Sequence, residues 1–549
     1  MMSGALLIGV AAVALAQEDA CGGVALTEAA ENVGILFVHD RGETGNFYNP
    51  ETMGSGVAWL DYDGDGWLDC YLVQSGPFPP PSEPSDKATN QMFRNTGDGR
   101  FEKVTPRTGA GERGYGQGVL GADFNGDHMP DIYLANWGVD RFLVNRGDGT
   151  FQERTAESGL DEEGAAGWSS AAALGDADRD GDLDLYLVVY VEHDPENEPF
   201  CLQPSTGERW YCGPSPFEPK MDVFYRNLGG AVFQEETLEA GFETANGKGL
   251  GVLFVDLNDD DWPDVYVAND MTFNLLFVNQ GDGTFEDLSL IAGVAVSRDG
   301  MLEAGMGVAV GDVDGDGDAD MAVANFDVQT NTLYVNQGDL FFEDVSAVSG
   351  FGAASFNYVG FGLIMADFDR DGNMDFFNGT GHTVEISPRA NVHYEQPDVL
   401  LMGDGKGNFS EPDCTLPNQR PSVSRGVAYA DYDNDGDPDI GIQRSGRAFS
   451  LLRNDTQAGS WLGLRLWSDS PNSEGVGAVV TLRTSKGIQK RWVIAGCSYQ
   501  SSSDRRVLFG FDEDAEIQDV EVHWQSGKRQ QIRLPTSERY ITVYESGAS

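Results

Sequence analysis

Positive charge is scarce in this sequence: 35 Lys and Arg stand against 89 Asp and Glu, a formal net charge of −54 over 549 residues. Such a chain has no basic patch to release counterions from phosphate, which excludes nucleic acid as a partner. An acidic surface instead favours solubility and cationic or metal-bridged partners. Cysteine is sparse too, with six residues and no Cys-x-x-Cys pair, so thiolate metal sites are excluded. The one long apolar run, residues 4–16, is too short to span a bilayer. It ends in Ala14-Leu-Ala16, the small-x-small form of a signal-peptidase site, so residues 1–16 are expected to be a signal peptide and no transmembrane segment is expected. Secretion, to the extracellular space or a periplasm, follows. No GxSxG, HExxH, P-loop or helix-opening GxGxxG occurs, so no catalytic constellation is legible.

What is abundant is one nine-residue phrase, first seen as Asp61-Tyr-Asp63-Gly-Asp65-Gly-Trp-Leu-Asp69. Its further copies place the same residue types at positions 1, 3, 5 and 9. They are Asp123, Asn125, Asp127 and Asp131; Asp176, Asp178, Asp180 and Asp184; and Asp256, Asn258, Asp260 and Asp264. The last three sets are Asp312, Asp314, Asp316 and Asp320; Asp367, Asp369, Asp371 and Asp375; and Asp431, Asp433, Asp435 and Asp439. Four carboxylates crowded on a tight glycine turn repel one another unless a hard cation sits between them, and Ca2+ takes about six to eight oxygens at flexible geometry. Up to seven structural Ca2+ ions are expected. An EF-hand needs a bidentate Glu at position 12 and helical flanks. Position 12 is instead Leu72, Leu134, Leu187, Val267, Val323, Asn378 or Ile442, and the flanks are short Val-, Ile- and Tyr-rich runs that read as strands.

Each loop is followed by a second phrase, such as Phe277-Val-Asn-Gln-Gly-Asp-Gly-Thr-Phe285, whose Asn-x-Gly-Asp-Gly reads as a hairpin turn. The unit is therefore four short strands, repeating roughly every 55 to 80 residues, and such units in radial array make a β-propeller. The expected fold is all-β: a seven-bladed propeller over residues 17–455, with the N-terminal segment near Val24–Ile35 supplying the last strand of blade seven. From residue 456 to 549 the pattern changes to period-two alternation over about six strands, including Arg491–Ala495, which fits a small β-sandwich.

The Asp loops, with Gly-Val-Ala before and Asp-hydrophobic-Tyr after, resemble FG-GAP/VCBS repeats, the blades also found in integrin α-chain propellers. Gly475-Val-Gly477-Ala-Val-Val, Arg505-Arg-Val-Leu-Phe509-Gly510-Phe and Val522-His-Trp524-Gln-Ser526-Gly527 resemble the ASPIC/UnbV domain. Trp524-Gln replaces the usual Trp-Pro there, and Phe511 stands where Leu-Gly is usual. The combination, with Tyr211-Cys212-Gly213-Pro214, is similar to the cartilage-acidic-protein-like family. That resemblance implies secreted calcium-binding adhesion or matrix proteins and no reaction. It also implies metal ligation through positions 1, 3, 5 and 9, with the carbonyl at position 7 (Trp67, Asp182, Asp318, Asp437) adding an oxygen.

Three loops joining second and third strands are long: 75–90, 192–220 and 379–397. They lie at the end opposite the Asp loops, and elaborated loops on a rigid scaffold carry binding. Candidate ligand-binding residues there are Trp137, Trp210, Tyr211, His382 and His393; with Glu385, the last two suggest a metal or acid–base site. Cys201 and Cys212, close together in one insertion, are expected to form a disulfide. Cys70 is expected to be a buried small hydrophobe, and the pairings of Cys21, Cys414 and Cys497 stay open among fifteen connectivities. The function expected is non-catalytic binding of an extracellular protein or polysaccharide. The alternative is an extracellular carbohydrate-active enzyme with its site opposite the calcium loops.

Overall fold

Alternating Val, Ile and Tyr runs between glycine-rich turns resolve into strands throughout; strand accounts for 41% of the chain and helix for 4%, so the class is all-β. The computed structural model describes residues 23–80, 89–161, 167–203, 206–385, 393–412, 416, 421–534 and 540–545. The expected signal peptide, Cys21 and Cys414 lie outside the described residues. Among those described, seven four-stranded antiparallel units follow one another. The first comprises Val57–Leu60, Asp69–Leu72, Gln91–Asn95 and Phe101–Lys103. The seventh comprises Ser424–Ala430, Asp439–Arg444 and Ser450–Asn454, and its outer strand is Leu26–Glu28, with Leu26 opposite Asn454. The second and third units are also joined directly, Gly138 opposite Gly167.

Apolar residues from both faces of each unit interleave with those of its neighbours, because every unit is covered on two sides. The last such layer packs Ala428, Tyr432 and Leu451 of the seventh unit against Trp59, Cys70 and Phe93 of the first. Each large side chain buried this way contributes about 1.5–3 kcal/mol. Glycine within the first strand of the seventh unit lets neighbouring units approach: a Cβ on Gly426 would lie 2.6 Å from the Ser55 carbonyl oxygen of the first unit.

The C-terminal residues form two sheets over one apolar core that includes Leu464, Val480, Phe509 and Val522. One sheet is Val507–Phe511, Ser460–Trp467 and Tyr540–Tyr544; the other is Ile488–Trp492, Val479–Thr484, Ile517–His523 and Arg529–Ile532. The strand read at Arg491–Ala495 ends instead at Trp492. The chain then leaves the module and runs among the first strands of the repeat units. Leu174 N–H donates to Ala495 O at 2.9 Å, Val119 N–H to Gln500 O at 3.0 Å and Trp59 N–H to Ser502 O at 3.0 Å. Asp504 N–H donates to Tyr429 O at 3.0 Å, and Tyr499 O–H reaches Met53 O at 3.1 Å. Tyr499, Gln500 and Ser502 are buried there.

Candidate metal centres and the opposite loop end

In every Asp loop the position-9 carboxylate is buried and spends both oxygens on backbone. Asp69 Oδ2 accepts from Tyr62 N–H at 3.1 Å and Oδ1 from Asn95 N–H at 2.7 Å, and the same pair recurs around Asp131, Asp184, Asp264, Asp320 and Asp439. In the sixth unit Asp375 accepts from Phe368 and, where the others have Asn, from Gly403. This carboxylate closes the loop, and the others converge beside it, with the position-9 oxygen itself among them at Asp69 and Asp439. Three ligand-capable oxygens lie within 4.8 Å of one another at Asp61/Asp63/Asp69, Asp176/Asp178/Asp180, Asp312/Asp314/Asp316, Asp367/Asp369/Asp371 and Asp431/Asp433/Asp439.

These oxygens fit a cation, because several are buried with no hydrogen-bond donor: Asp61 Oδ1, Asp63 Oδ1, Asp176 Oδ1 and Asp433 Oδ1. Burial, reinforced by Asp180 and Asp178, pushes Asp176 up to about 7. Burial with Asp435 and Asp431 does the same to Asp433, also to about 7. A bound Ca2+ would supply the charge that these sites lack. In the first loop Arg94 already bridges Asp63 and Asp65.

The loops at Asp123 and Asp256 form no such cluster among the described residues. Asn replaces Asp at position 3 in both, and their position-6 residues touch the C-terminal module. The His128 ring stacks on Trp467 at 4.3 Å, and His523 Nε2 lies 3.4 Å from Asp261. Ser473 donates to Asp123 Oδ2 and Asp123 N–H to Glu474 at 3.0 Å. The module covers the Asp-loop end more widely. Arg465 meets Asp61 at 3.3 Å, Gly510 N–H donates to Asp367 Oδ2 at 3.1 Å, and Tyr540 O–H donates to Asp431 Oδ2 at 2.9 Å.

At the other end, the 192–220 insertion carries the expected disulfide, with Sγ–Sγ 2.02 Å and Cα–Cα 5.4 Å between Cys201 and Cys212. Cys70 is buried with a free thiol, as expected. Trp210 and Tyr211 are half-buried, their rings each 5.2 Å from Phe47, and Tyr211 O–H donates to Glu51 at 2.8 Å. Trp137 donates to His193 Nδ1 at 3.0 Å, while His193 Nε2 faces Glu198 at 2.6 Å in a buried pair. His193 was legible as a residue of the long 192–220 loop, whereas Phe47, Phe78 and Glu198 escaped the sequence reading; a lone Phe beside glycines and prolines gives no periodic signal.

The suggested histidine site is not formed by the described residues. His382 is buried, its Nδ1 accepting from Val384 N–H at 3.1 Å and its edge against Phe326. His393 is exposed, and Glu385 lies 3.7 Å from Arg41. No histidine joins a metal-capable cluster among the described residues.

Residues 61–134, 123–187, 256–323 and 312–377 match the FG-GAP-like repeat, and residues 468–549 match ASPIC and UnbV. The chain is thus an FG-GAP-repeat protein carrying an ASPIC and UnbV domain. It is similar to cartilage acidic protein 1 of Mus musculus, 25% identical over 506 residues that cover 87% of this chain and 72% of the relative. The Homo sapiens protein is likewise 25% identical, over 510 residues covering 87% and 70%. Among solved structures, an Agrocybe aegerita lectin that recognises non-reducing terminal N-acetylglucosamine aligns with TM-score 0.40 and 17% identity. That alignment covers 73% of this chain and 94% of the lectin. BBS1N in complex with ARL6DN aligns with TM-score 0.37 and 8% identity, covering 74% and 93%. No helix among the described residues is long and apolar enough to cross a membrane.

Proposed function

We propose that this is a secreted, calcium-stabilised, seven-bladed β-propeller that binds an extracellular protein or polysaccharide without catalysing a reaction. Residues 1–16 would be the signal peptide, 17–455 the propeller and 456–549 a β-sandwich. Seven repeat units, with the seventh packed on the first, support the propeller; two sheets over one core support the sandwich. Orphaned, buried carboxylate oxygens in the Asp loops support Ca2+ there, and the similarity to cartilage acidic protein 1 supports an adhesion-type role outside the cell.

The observation that carries the reading is which end is free. The C-terminal module occupies the Asp-loop end, so a partner meets the long-loop end, where a disulfide and the Phe47 contacts hold Trp210 and Tyr211 in place. Anchors held beforehand bind at low entropic cost. Binding of wild type and of a Trp210→Ala/Tyr211→Ala variant to arrays of glycans and extracellular matrix proteins, with calcium and with chelator, tests it. Wild type should bind at least one class and the variant at least tenfold more weakly, with unchanged melting. Depolymerisation of a bound polysaccharide, or binding lost only when the C-terminal module is altered, would overturn the reading.

A further inference from the structure

At the long-loop end, exposed apolar side chains gather over the fourth to sixth units. Met271 and Phe273 lie between the second and third strands of the fourth unit, and Met301 and Leu302 lie in the connection to the fifth. Val328 sits in the corresponding loop of the fifth unit, and Phe356 follows the short helix Phe351–Ser355 that leads to the sixth. They are exposed by 37% (Leu302) to 64% (Met301). The backbone fixes their segments to one another. Met271 N–H donates to Glu303 O at 2.9 Å and Val328 N–H to Phe356 O at 2.9 Å. Between them Gln329 accepts from Ala304 N–H at 2.8 Å and reaches Met271 Sδ at 3.4 Å. The six side chains therefore share one held surface.

Two of them stand on left-handed backbone, Met271 at φ 59° and Val328 at φ 67°. The comparable loop of the second unit has Gly138 at φ 105° there. A β-branched residue in this region is an outlier, and glycine or asparagine would relax the turn. Neither side chain recovers the strain by burial, being 41% and 46% exposed. Strained backbone that packing does not explain points to what the side chain presents.

We propose that this surface docks a polypeptide segment whose apolar side chains are flanked by Lys or Arg. The proposal rests on the reading above that the long-loop end is the binding end, and it locates a protein contact there apart from Trp210 and Tyr211. Flexible thioethers beside Leu302, Val328 and two phenylalanines suit irregular apolar side chains. The patch lies on a chain of net charge −54, and that excess of acid selects basic flanks.

Random dodecapeptides displayed on phage and selected on calcium-loaded full-length protein test the proposal; the selected peptides are then the probe. Leu, Ile, Phe or Met beside Lys or Arg should be enriched. Val328→Asp/Phe356→Asp should weaken those peptides at least tenfold without changing melting. Leu290→Asp/Ile291→Asp, which adds the same charge at the exposed outer turn of the fourth unit, should not. Val328→Gly should raise the melting temperature yet still weaken binding, an outcome that a purely structural role for the side chain does not give. No enrichment, enrichment of acidic peptides, or equal binding by Val328→Asp/Phe356→Asp overturns the proposal. So does a wild-type dimer in sedimentation that this variant dissolves, since the occupant is then a second copy. If Trp210→Ala/Tyr211→Ala alone abolishes binding, the patch is wrong and the binding end stands. If only changes to the C-terminal module abolish it, both fall.

Discussion

At position 6 of the Asp loops the backbone is left-handed in every copy, from Gly66 at φ 89° to His128 at φ 70° and Asp261 at φ 73°. Glycine holds that conformation without cost, whereas His128 and Asp261 carry strained Cβ atoms. The same two loops have Asn125 and Asn258 in place of a fourth carboxylate, and ligand charge is a main lever on calcium affinity. Calcium should therefore fill the loops starting at Asp61, Asp176, Asp312, Asp367 and Asp431 before the other two, as followed by native mass spectrometry across a calcium titration. Asn125→Asp and Asn258→Asp should each tighten their own loop severalfold. Equal filling, or the reverse order, would show that carboxylate number does not set affinity here. A second residue-scale prediction concerns buried acids away from the Asp loops. Burial pushes Asp140 up to about 7 and Asp222 up to about 8, although each accepts a backbone N–H and a tyrosine hydroxyl. Unfolded Asp titrates near 3.9, so the folded chain holds more protons between about pH 4 and 8, and stability falls as pH rises through that window. The loss is on the order of a few kcal/mol per group. Asn274 and Asn331 cap the equivalent backbone N–H in the fourth and fifth units without a charge. Asp140→Asn/Asp222→Asn should flatten the pH dependence of melting between pH 5 and 8 at saturating calcium. An unchanged slope would mean that the two carboxyls do not titrate in the fold.

The repeat units are joined by an element that the sequence shows but does not explain. The Asn of Asn-x-Gly-Asp-Gly sends its side-chain N–H groups to two carbonyls, one in its own Asp loop and one in the preceding unit. Asn279 Nδ2 donates to Pro263 O at 3.2 Å and to Ala177 O at 2.9 Å. Asn95 makes the same reach from the first unit back to Tyr432 O of the seventh at 2.8 Å. Asn279→Ala strands two buried carbonyls and should cost about 1–3 kcal/mol, read as a lower denaturant midpoint. The sixth unit has Gly403 instead, and a Cβ there would lie 2.2 Å from Met374 O. Gly403→Asn should therefore destabilise rather than supply the missing link; a stabilised variant would show that this strand end can yield. The Asp loops were legible because their chemistry is local, four acids within nine residues and glycine where the turn needs it. The repeat and its outer phrase followed from the same local signals. The Asn read correctly as part of a hairpin, with Gly281 at φ 75° and Gly283 at φ 85°, but its second partner lies about a hundred residues away. Residues 493–504 failed for the same reason: Val493–Ala495 read as the end of a strand and the small polar residues after them give no periodic signal, while their partners on Trp59, Val119 and Leu174 are set by tertiary structure alone. Of the three Asn-x-Ser/Thr sequons, those at Asn378 and Asn454 bury the amide that a glycan would need.

Across the whole molecule, the C-terminal module and the Asp loops are one assembly. The module holds an oxygen of the first carboxylate in the loops starting at Asp61, Asp123, Asp367 and Asp431, and its 493–504 segment is hydrogen-bonded to several first strands. A module so placed orients ligands before the cation arrives, and a cation that binds only this arrangement stabilises it by mass action. Calcium affinity and docking should then rise and fall together. Gly56 offers a way to disturb one without touching the other. A Cβ there would lie 1.7 Å from the Gln500 carbonyl oxygen, a backbone atom, so Gly56→Ala must push the inserted segment away while leaving every loop carboxylate and every module side chain intact. The variant should bind calcium severalfold more weakly, as read by titration. It should also be cut by protease between residues 493 and 504, and its Cys497 thiol, otherwise held up to about 11 by burial, should become open to maleimide. Gly213→Ala, where nothing lies within 4 Å of the added Cβ, serves as the matched control and should behave as wild type. If Gly56→Ala loosens the segment yet keeps full calcium affinity, the loops bind independently of the module. The arginine, tyrosine and backbone contacts on their first carboxylates would then be adhesion between two bodies and no part of the metal sites.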